Sequence, residues 1–519
     1  MKTKYTHIII IISYLILTLF ASITFFANVS NKVIGNINHP NAQGEILLTD
    51  IMKNSLLNHK ILNWTYTNFL NYPYGEQLSD TIRHTVHLYI SGTIAIFTNP
   101  VTAYNITFFI IIILNAYFMF LLAQYIFKNY YLSWLAGLFY TLNSYVLLKI
   151  NMGSLHKSAI FFIPLYILFL FKLLDTPKVT YIIMTFVLLV LTHLQYPMYS
   201  LYCLLFSIIL ILYRLFKNKK MQELKYFIVI SILSVAFLYW LGMVGHITFD
   251  LSIYKNELWK LNPLYFIKNY LVYPTSLPLG ISPTLLFLGL LGFIYIKEAR
   301  FFFLTAVFFI ILSFGSSISI HNVKILLPFY FLAKTVKLFS DINLYAPIRS
   351  LSLAYIFLII SAIFFVKIAY DKFGKKSILI IATIFILELV FLYPEVFPIK
   401  ITDLPKYDIV TQIKNKDGNI LYLPSFDKNN KMLLHKSMFI TLMGNKKMVN
   451  TYESDSWIKE IIEKGDTDNV LKMLKKNNIK FVAIYSDIKP MNNEEIIFIN
   501  SIKEKTVKSD EGIILYEIN

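Results

Sequence analysis

The chain has 519 residues, of which 56% are hydrophobic, 16% aromatic and 15% charged, and its formal net charge is +18. Soluble globular domains are about 45–50% apolar and about 25% charged, so the composition excludes an ordinary soluble enzyme. Lys and Arg sit in short loops between apolar runs and form no basic stripe on a soluble domain. That argues against nucleic-acid binding and for membrane topology, with attraction to anionic lipid as a second role.

The first element is basic at Met1–Tyr5 and apolar over Ile8–Ala27. Its apolar run is longer than a signal h-region and no small-x-small site closes it, so it reads as a retained span, His7–Ala27. Further spans are expected at Ile106–Phe127, Tyr131–Ile150, Ser158–Leu174, Val179–Leu194, Met198–Phe216, Tyr226–Val244, Ile281–Ile296, Phe301–Gly315, Leu351–Tyr370 and Ser377–Tyr393. The fold class is therefore a polytopic α-helical membrane protein of about eleven transmembrane helices.

With Lys2 and Lys4 in the cytoplasm, the inside loops are short and mostly basic: Lys128, Asp175–Lys178, Lys217–Lys225, Lys297–Arg300 and Asp371–Lys376. The outside loops are then the long ones: Asn28–Asn105, Gly245–Gly280 and Ser316–Ser350. The spacing also predicts a helix over Val86–Phe97, about 12 residues and too short to cross a ~30 Å hydrocarbon core. It reads as an interfacial helix at the outer surface, which would leave His87 open to water.

Residues 1–393 thus form a transmembrane domain with a large outer loop, 28–105. Residues 394–519 form a separate, extracytoplasmic soluble α/β domain, because the expected span count is odd. In that tail Ile420–Leu423, Lys480–Tyr485 and Ile513–Tyr516 have the pattern of strands, and Trp457–Lys464 and Asp468–Lys476 that of helices. The lone cysteine, Cys203, falls in an apolar run and permits no internal disulfide.

Candidate chemistry concentrates outside the spans. Glu388 is the one carboxylate well within a run, and reads as bundle-facing and paired, or as a relay. The first outer loop carries Gly44-Glu45, Asp50, Trp64, Asn71-Tyr72-Pro73-Tyr74-Gly75-Glu76 and Asp80-Thr81-Ile82-Arg83-His84-Thr85-Val86-His87. Sugar transfer at a membrane face needs a carboxylate to take a proton from an acceptor hydroxyl, and cationic groups or a metal to hold a departing phosphate. Glu45 is the first candidate base, against a plain surface Glu at a helix start. Asp50 is a second carboxylate or a solvated one. His84 and His87 would share a helical face, for metal ligation or interfacial hydrogen bonding.

The stretch from Gly44 to Leu174 resembles the N-terminal part of the GT-C superfamily, the polytopic glycosyltransferases that use lipid-phosphate sugars, and more closely its YfhO-type branch. The matching residues are Gly44-Glu45, Tyr72–Gly75, Ala103-Tyr104-Asn105, Asn143-Ser144-Tyr145, Gly153-Ser154-Leu155-His156 and Ile163-Pro164-Leu165, then Pro347-Ile348-Arg349 before a late span. In the tail, Gly444-Asn445-Lys446, Tyr452-Glu453-Ser454 and Ile479–Val482 also resemble the branch. The chain departs from it in carrying Glu45 where Asp is usual, and Met443 near the place of a His.

The resemblance implies that Glu45 is the catalytic or metal-binding acid, that His156 lies at the outer mouth of the site and that Arg349 is near the donor phosphate. Alone, Arg349 could equally be an interfacial anchor. Tyr72, Tyr74, His87, His156 and Arg349 are the candidate substrate-binding residues, with Glu45 and Asp50 the catalytic pair. The expected function is transfer of a sugar from a polyprenyl-phosphate donor to a glycan, lipid or protein acceptor on the outer face of the plasma membrane. Arg349 or a divalent metal, magnesium or manganese, would stabilise the leaving phosphate. The alternatives are a transporter or flippase of lipid-linked glycans, which predicts related halves and short loops, and a membrane scaffold whose tail binds a partner.

Overall fold

The computed structural model describes residues 2–22, 31–59, 66–78, 86–218, 222–240, 281–320, 323–335, 347–423, 431–449, 467–485, 493–501, 506–508 and 513–518. Trp64, Asp80–Thr85 with His84, loop 245–280, Tyr452–Ser454 and the helix expected at Trp457–Lys464 lie outside the described residues.

The apolar runs are helical, as they must be where lipid offers the backbone no hydrogen bonds. The N-terminal run forms α1 (Lys2–Ala21), and the first outer loop contributes α2 (Pro40–Leu57) and α3 (Val86–Phe97). There follow α4 (Pro100–Phe127), α5 (Tyr130–Thr141), α6 (Ser144–Asn151), α7 (Leu155–Ser158), α8 (Phe162–Asp175), α9 (Val179–Gln195), α10 (Pro197–Asn218) and α11 (Gln222–Trp240). After these come α12 (Pro283–Tyr295), α13 (Lys297–Ser313), α14 (Pro328–Thr335), α15 (Leu351–Phe373) and α16 (Lys375–Leu392). Among the described residues, Pro100–Phe127, Leu155–Asp175, Pro197–Lys217 and Pro347–Phe373 are the four helical segments long and apolar enough to cross a membrane.

Asparagines punctuate these helices. The side chains of Asn99, Asn129 and Asn143 accept hydrogen bonds from the backbone N–H groups of Thr102 (2.8 Å), Tyr131 (2.9 Å) and Val146 (3.0 Å). Each cap satisfies a donor orphaned at a helix start. The cap at Asn143 divides the run expected as a single span, Tyr131–Ile150, into α5 and α6, and so turns the chain toward α7. Glu388, on α16, accepts the Thr284 N–H at 2.8 Å, at the positive end of α12. It is a bundle-facing, paired residue.

At the centre of the bundle α15 is buried from Leu351 to Ile363. Gly289 and Gly292 of α12 let it approach closely: the Ser361 hydroxyl donates to the Gly289 carbonyl at 2.9 Å. The helix at Val86–Phe97 forms as expected, but it does not expose His87. Its His87, Leu88, Ser91, Gly92 and Ala95 side is buried against α2 and α4, and His87 is 1% accessible. His87 and Ser91 pair with Glu45 and Thr49 of α2, and His87 also with Gln195 of α9.

The tail begins by pairing back onto the first loop. Strand β1 (Lys32–Ile34) runs antiparallel to a tail strand, Ile401–Asp403, and Asn105 fixes β1 by accepting the Ile34 N–H at 3.0 Å and donating to the Lys32 carbonyl at 2.8 Å. Tyr104 adds a bond from its hydroxyl to the Ile34 carbonyl at 2.9 Å. Further on, Asn419–Leu423 pairs parallel with Ile479–Tyr485. The latter pairs antiparallel with Ile513–Glu517, which carries the edge strand Thr506–Lys508.

Side-chain alternation gives this sheet two buried faces. Leu421, Leu423, Val482 and Ile484 pack on Thr467–Lys476 and Asn493–Ser501. Ile420, Tyr422, Phe481, Ala483 and Tyr485 join the apolar core that runs on into the helical bundle. One face of the tail sheet thus belongs to the same apolar cluster as the helical bundle, and the other to a cluster of its own.

Candidate functional site

The site is assembled on the first turns of α2. His39 caps this helix, its Nδ1 accepting the Asn41 N–H at 3.2 Å, and Pro40 fits the first turn because it has no N–H to lose. Asn41, Ala42 and Glu45 fall on one side of α2 by their three- and four-residue spacing. That side meets two other elements.

The first is α3. Gly92 lies against Met52, where a Cβ would come within 2.5 Å of its Cγ, and this close approach carries His87 to Glu45. His87 Nε2 and Glu45 Oε2 are 2.8 Å apart. The second is the turn between α6 and α7. Gly153 has φ +68°, a left-handed conformation that favours glycine, and any Cβ there would collide with Ala42. The Asn41 amide donates to the Ser154 hydroxyl beside it. This docking delivers His156, whose backbone N–H donates to Glu45 Oε1 at 3.1 Å while its Nδ1 bonds the same oxygen.

Gln195, at the end of α9, locks the two histidines. Its Oε1 accepts the His87 N–H at 3.2 Å, and its Nε2 lies 3.2 Å from His87 Nδ1 and donates to the His156 carbonyl at 3.1 Å. With Gln195 donating to Nδ1, His87 carries its proton on Nε2, facing the carboxylate. Glu45 thus accepts from three N–H groups while 4% exposed. Burial alone would push its carboxyl up, but His87 and His156, both facing it, outweigh the burial and hold the group well below the usual carboxylate range. Of the three side chains, His156 reaches furthest out, at 15% against 1% for His87.

Beyond His156 the site turns cationic. The Tyr196 ring is 5.8 Å from that of His156, and the Arg349 guanidinium lies 4.6 Å over its centre. Arg349 is 7% exposed and acts electrostatically on Lys149 and Lys157. Lys149 lies 5.5 Å over the Tyr145 ring, the Tyr145 and Tyr199 hydroxyls are 2.9 Å apart, and Tyr199 donates to the Lys157 carbonyl at 2.5 Å. Burial, then the charges of Lys157 and Lys149, lower the nearby His39 from its ordinary value. The Tyr202 hydroxyl, also within the field of Arg349, is buried without a hydrogen-bond partner among the described residues.

The fold thus brings Glu45, His87 and His156 into contact, with Arg349 over the neighbouring Tyr196 ring, whereas Asp50, Tyr72 and Tyr74 do not join them. Five positions along α2, Asp50 is rotated about 140° from Glu45 and displaced about 7.5 Å along the axis. It borders a cavity of 430 Å³ between α2, residues 66–69 and the tail. Tyr72 serves the same junction: its N–H donates to the Met448 carbonyl at 3.0 Å, the Met448 N–H donates to the Phe69 carbonyl at 2.8 Å, and Lys447 sits 4.7 Å over the Tyr72 ring. Tyr74 is 60% exposed, its carbonyl accepting from the Tyr66 hydroxyl.

Sequence reasoning missed Gln195, Tyr196, Lys149 and Lys157. The available signal was Lys149 itself, a lysine inside an expected span, which is rare without a functional partner. A divalent metal does not fit the donors described. Both oxygens of Glu45 are taken by imidazole and backbone N–H groups, and no group of three or more His, Cys, Asp and Glu among the described residues is arranged to hold one.

No family model matches the chain, and no curated protein matches it. Among solved structures it is similar to the Archaeoglobus fulgidus oligosaccharyltransferase in its apo form, at 11% identity and a TM-score of 0.49, over 92% of this chain and 69% of that one. It is likewise similar to the archaeal oligosaccharyltransferase AglB from the same organism, in complex with an inhibitory peptide and a dolichol-phosphate. There the identity is 11% and the TM-score 0.48, over 93% of this chain and 70% of that one.

Proposed function

We propose that the chain is a multi-pass membrane glycosyltransferase of GT-C type, akin to the YfhO branch. It would have about eleven spans and an extracytoplasmic tail, and would move a sugar from a polyprenyl phosphate to an acceptor hydroxyl on the outer face of the plasma membrane. One observation carries this reading. A buried, ionised Glu45 holds His156 next to Tyr196, and Tyr196 stacks on Arg349, whose charge acts on the buried Lys149 and Lys157.

Glu45 is too enclosed to meet a substrate itself, so it acts as a positioning residue. By accepting the Nδ1 proton of His156 it leaves the basic lone pair on Nε2 and stabilises the imidazolium that forms on protonation. His156 Nε2 takes the proton of the acceptor hydroxyl. The acceptor oxygen bonds to the anomeric carbon, the bond from that carbon to the phosphate oxygen breaks, and the phosphate leaves with the electron pair. Direct displacement inverts the anomeric centre.

Transfer turns a singly charged phosphodiester into a monoester approaching two negative charges. A buried cationic cluster stabilises the second state more than the first, and so lowers the barrier. Arg349 supplies the fixed fork, Lys149 and Lys157 supply point charges, and the Tyr202 hydroxyl, without a partner among the described residues, is a further donor.

The test is transfer by the purified full chain in nanodiscs, supplied with radiolabelled polyprenyl-phosphate hexoses and cell-envelope acceptors. Labelled acceptor with inverted configuration, lost in His156→Gln, is the expected result. No transfer from any donor, together with movement of lipid-linked glycan across proteoliposomes, would replace this reading with the transporter.

A further inference from the structure

The cavity beside Asp50 is made by parts of the chain far apart in sequence. Asp50, Asn54 and Asn58 come from α2, Tyr66 and Asn68 from the loop that follows it, and Asn419, Asn445 and Lys446 from the tail. Five of its lining residues are asparagines, with one carboxylate and the ring of Tyr66, which is 47% exposed.

The loop wall is fixed by Gly75, at φ +79°, where a Cβ would lie 2.7 Å from the Asn68 carboxamide oxygen and collide with the Tyr66 hydroxyl. The tail wall is fixed by the Tyr72 and Met448 backbone bonds and by Asn445, itself left-handed at φ 54°. Both walls are thus held in place by backbone contacts, which preorganises the cavity.

The lining selects a ligand class. Asn54, Asn58 and Asn419 each give one amide N–H to Asp50, Asn54 and Asn478, which leaves a carboxamide's second N–H and its two-lone-pair oxygen to match vicinal hydroxyls that both give and take hydrogen bonds. An exposed aromatic ring offers a face to the C–H side of a ring, which amides cannot. The cations are otherwise engaged: Lys446 donates to the Lys416 carbonyl and Lys447 lies over Tyr72, so the cavity is not built for a phosphate or sulfate. One carboxylate among amides is too little charge for a hard cation, which takes six to eight oxygens.

We propose that this cavity is a saccharide subsite, binding an uncharged sugar ring of the acceptor glycan, one or more units from the sugar that reacts. The proposal rests on the reading of the chain as a glycosyltransferase. The acceptor is favoured over the donor by position. A lipid-linked donor must keep its tail among the spans, on the side of Arg349, whereas the cavity opens between α2 and the tail sheet.

Binding is read without turnover, by saturation-transfer NMR on the full chain in nanodiscs with the methyl glycosides of glucose, galactose, mannose and N-acetylglucosamine. At least one glycoside should receive saturation transfer. Asn54→Trp, which fills the cavity from an exposed helix position, should abolish it, and Asn54→Ala should weaken it about tenfold, as for loss of a hydrogen-bond pair. In the transfer assay Asn54→Trp should raise the KM for a glycan acceptor about tenfold or more, with the donor KM moving far less.

Absence of saturation transfer for all four glycosides overturns the proposal, as does binding that survives both substitutions. A rise in donor KM in place of acceptor KM moves the subsite to the donor and overturns the assignment to acceptor. Glycoside binding by a chain that transfers no sugar sinks the enzyme reading and leaves the saccharide site standing.

Discussion

Glu45 and Asp50 sit five residues apart on one helix, and the molecule treats them in opposite ways. Glu45 is the more buried, yet its carboxyl is held far below its ordinary value, because two histidines and a backbone N–H face it. Asp50 is the less buried, yet its carboxyl is raised from its ordinary value, since burial exceeds what Lys53 and Asn54 return. Burial raises both; the partners decide the sign. The first environment keeps a buried charge fixed, as proton transfer through a neighbour requires. The second, rich in amides and open to water, suits hydrogen bonding to an uncharged ligand.

The largest expected effect separates the two carboxylates by chemistry. Glu45→Gln should lower the transfer rate by about 10²–10⁴, and Glu45→Asp should recover part of it, because charge and not shape holds the His156 tautomer. Equal rates for Glu45→Gln and wild type would move the catalytic role elsewhere. Asp50→Asn should leave a far higher rate than Glu45→Gln in the same assay.

Next in size is Arg349→Ala, expected to cut kcat by about tenfold to a hundredfold, a loss of about 1.5–3 kcal/mol for a hydrogen bond to a charged group. Arg349→Lys should restore only part, since the ammonium cannot keep both the fork and the stack on Tyr196. A variant with unchanged kcat would remove the cationic half of the site from the reaction.

Gly153→Ala tests how the first environment is assembled. The residue is left-handed and abuts Ala42, so the substitution should lower stability by about 1–3 kcal/mol, read as a lower thermal midpoint, and lower activity with it. An unaffected midpoint would mean that the turn can shift without losing His156.

The smallest effect concerns pH and sharpens the contrast of sign. Asp50 is raised when folded, so it detracts from stability once the pH rises above the ordinary value of 3.8, and Asp50→Asn should raise the thermal midpoint at pH 7 but not below 3.8. Glu45 is depressed, so its contribution is fully present above its ordinary value of 4.5 and is lost only as pH falls through the lower folded value. Glu45→Gln should therefore flatten the acid limb of the stability curve, where Asp50→Asn should not.

Much of this architecture was legible in the chain. Long apolar runs have one structural solution in lipid, and the helices at Pro100–Phe127, Val179–Gln195 and Leu351–Phe373 fall close to the expected runs. The strands at Asn419–Leu423, Ile479–Tyr485 and Ile513–Glu517 were legible by alternation. Glu45 was legible as a carboxylate of the first outer loop, whereas the roles of His156 and Arg349 were legible only through resemblance, because an isolated polar residue has no periodic signature. Gln195 was illegible: a single amide ending an apolar run resembles any helix terminus, and its role exists only where α9 meets α3 and α7.

The sequence by itself determined which segments are helices, where they are capped and which residues carry charge, because those follow from neighbours within a few positions. The tertiary structure alone decided what each charge does. Glu45 and Asp50 are near-equivalent as letters, and they differ because Gly92 and Gly153 let two histidines close on one while the tail folds over the other. Such contacts join residues up to about four hundred positions apart, and no local pattern encodes the partner that sets a carboxylate's charge.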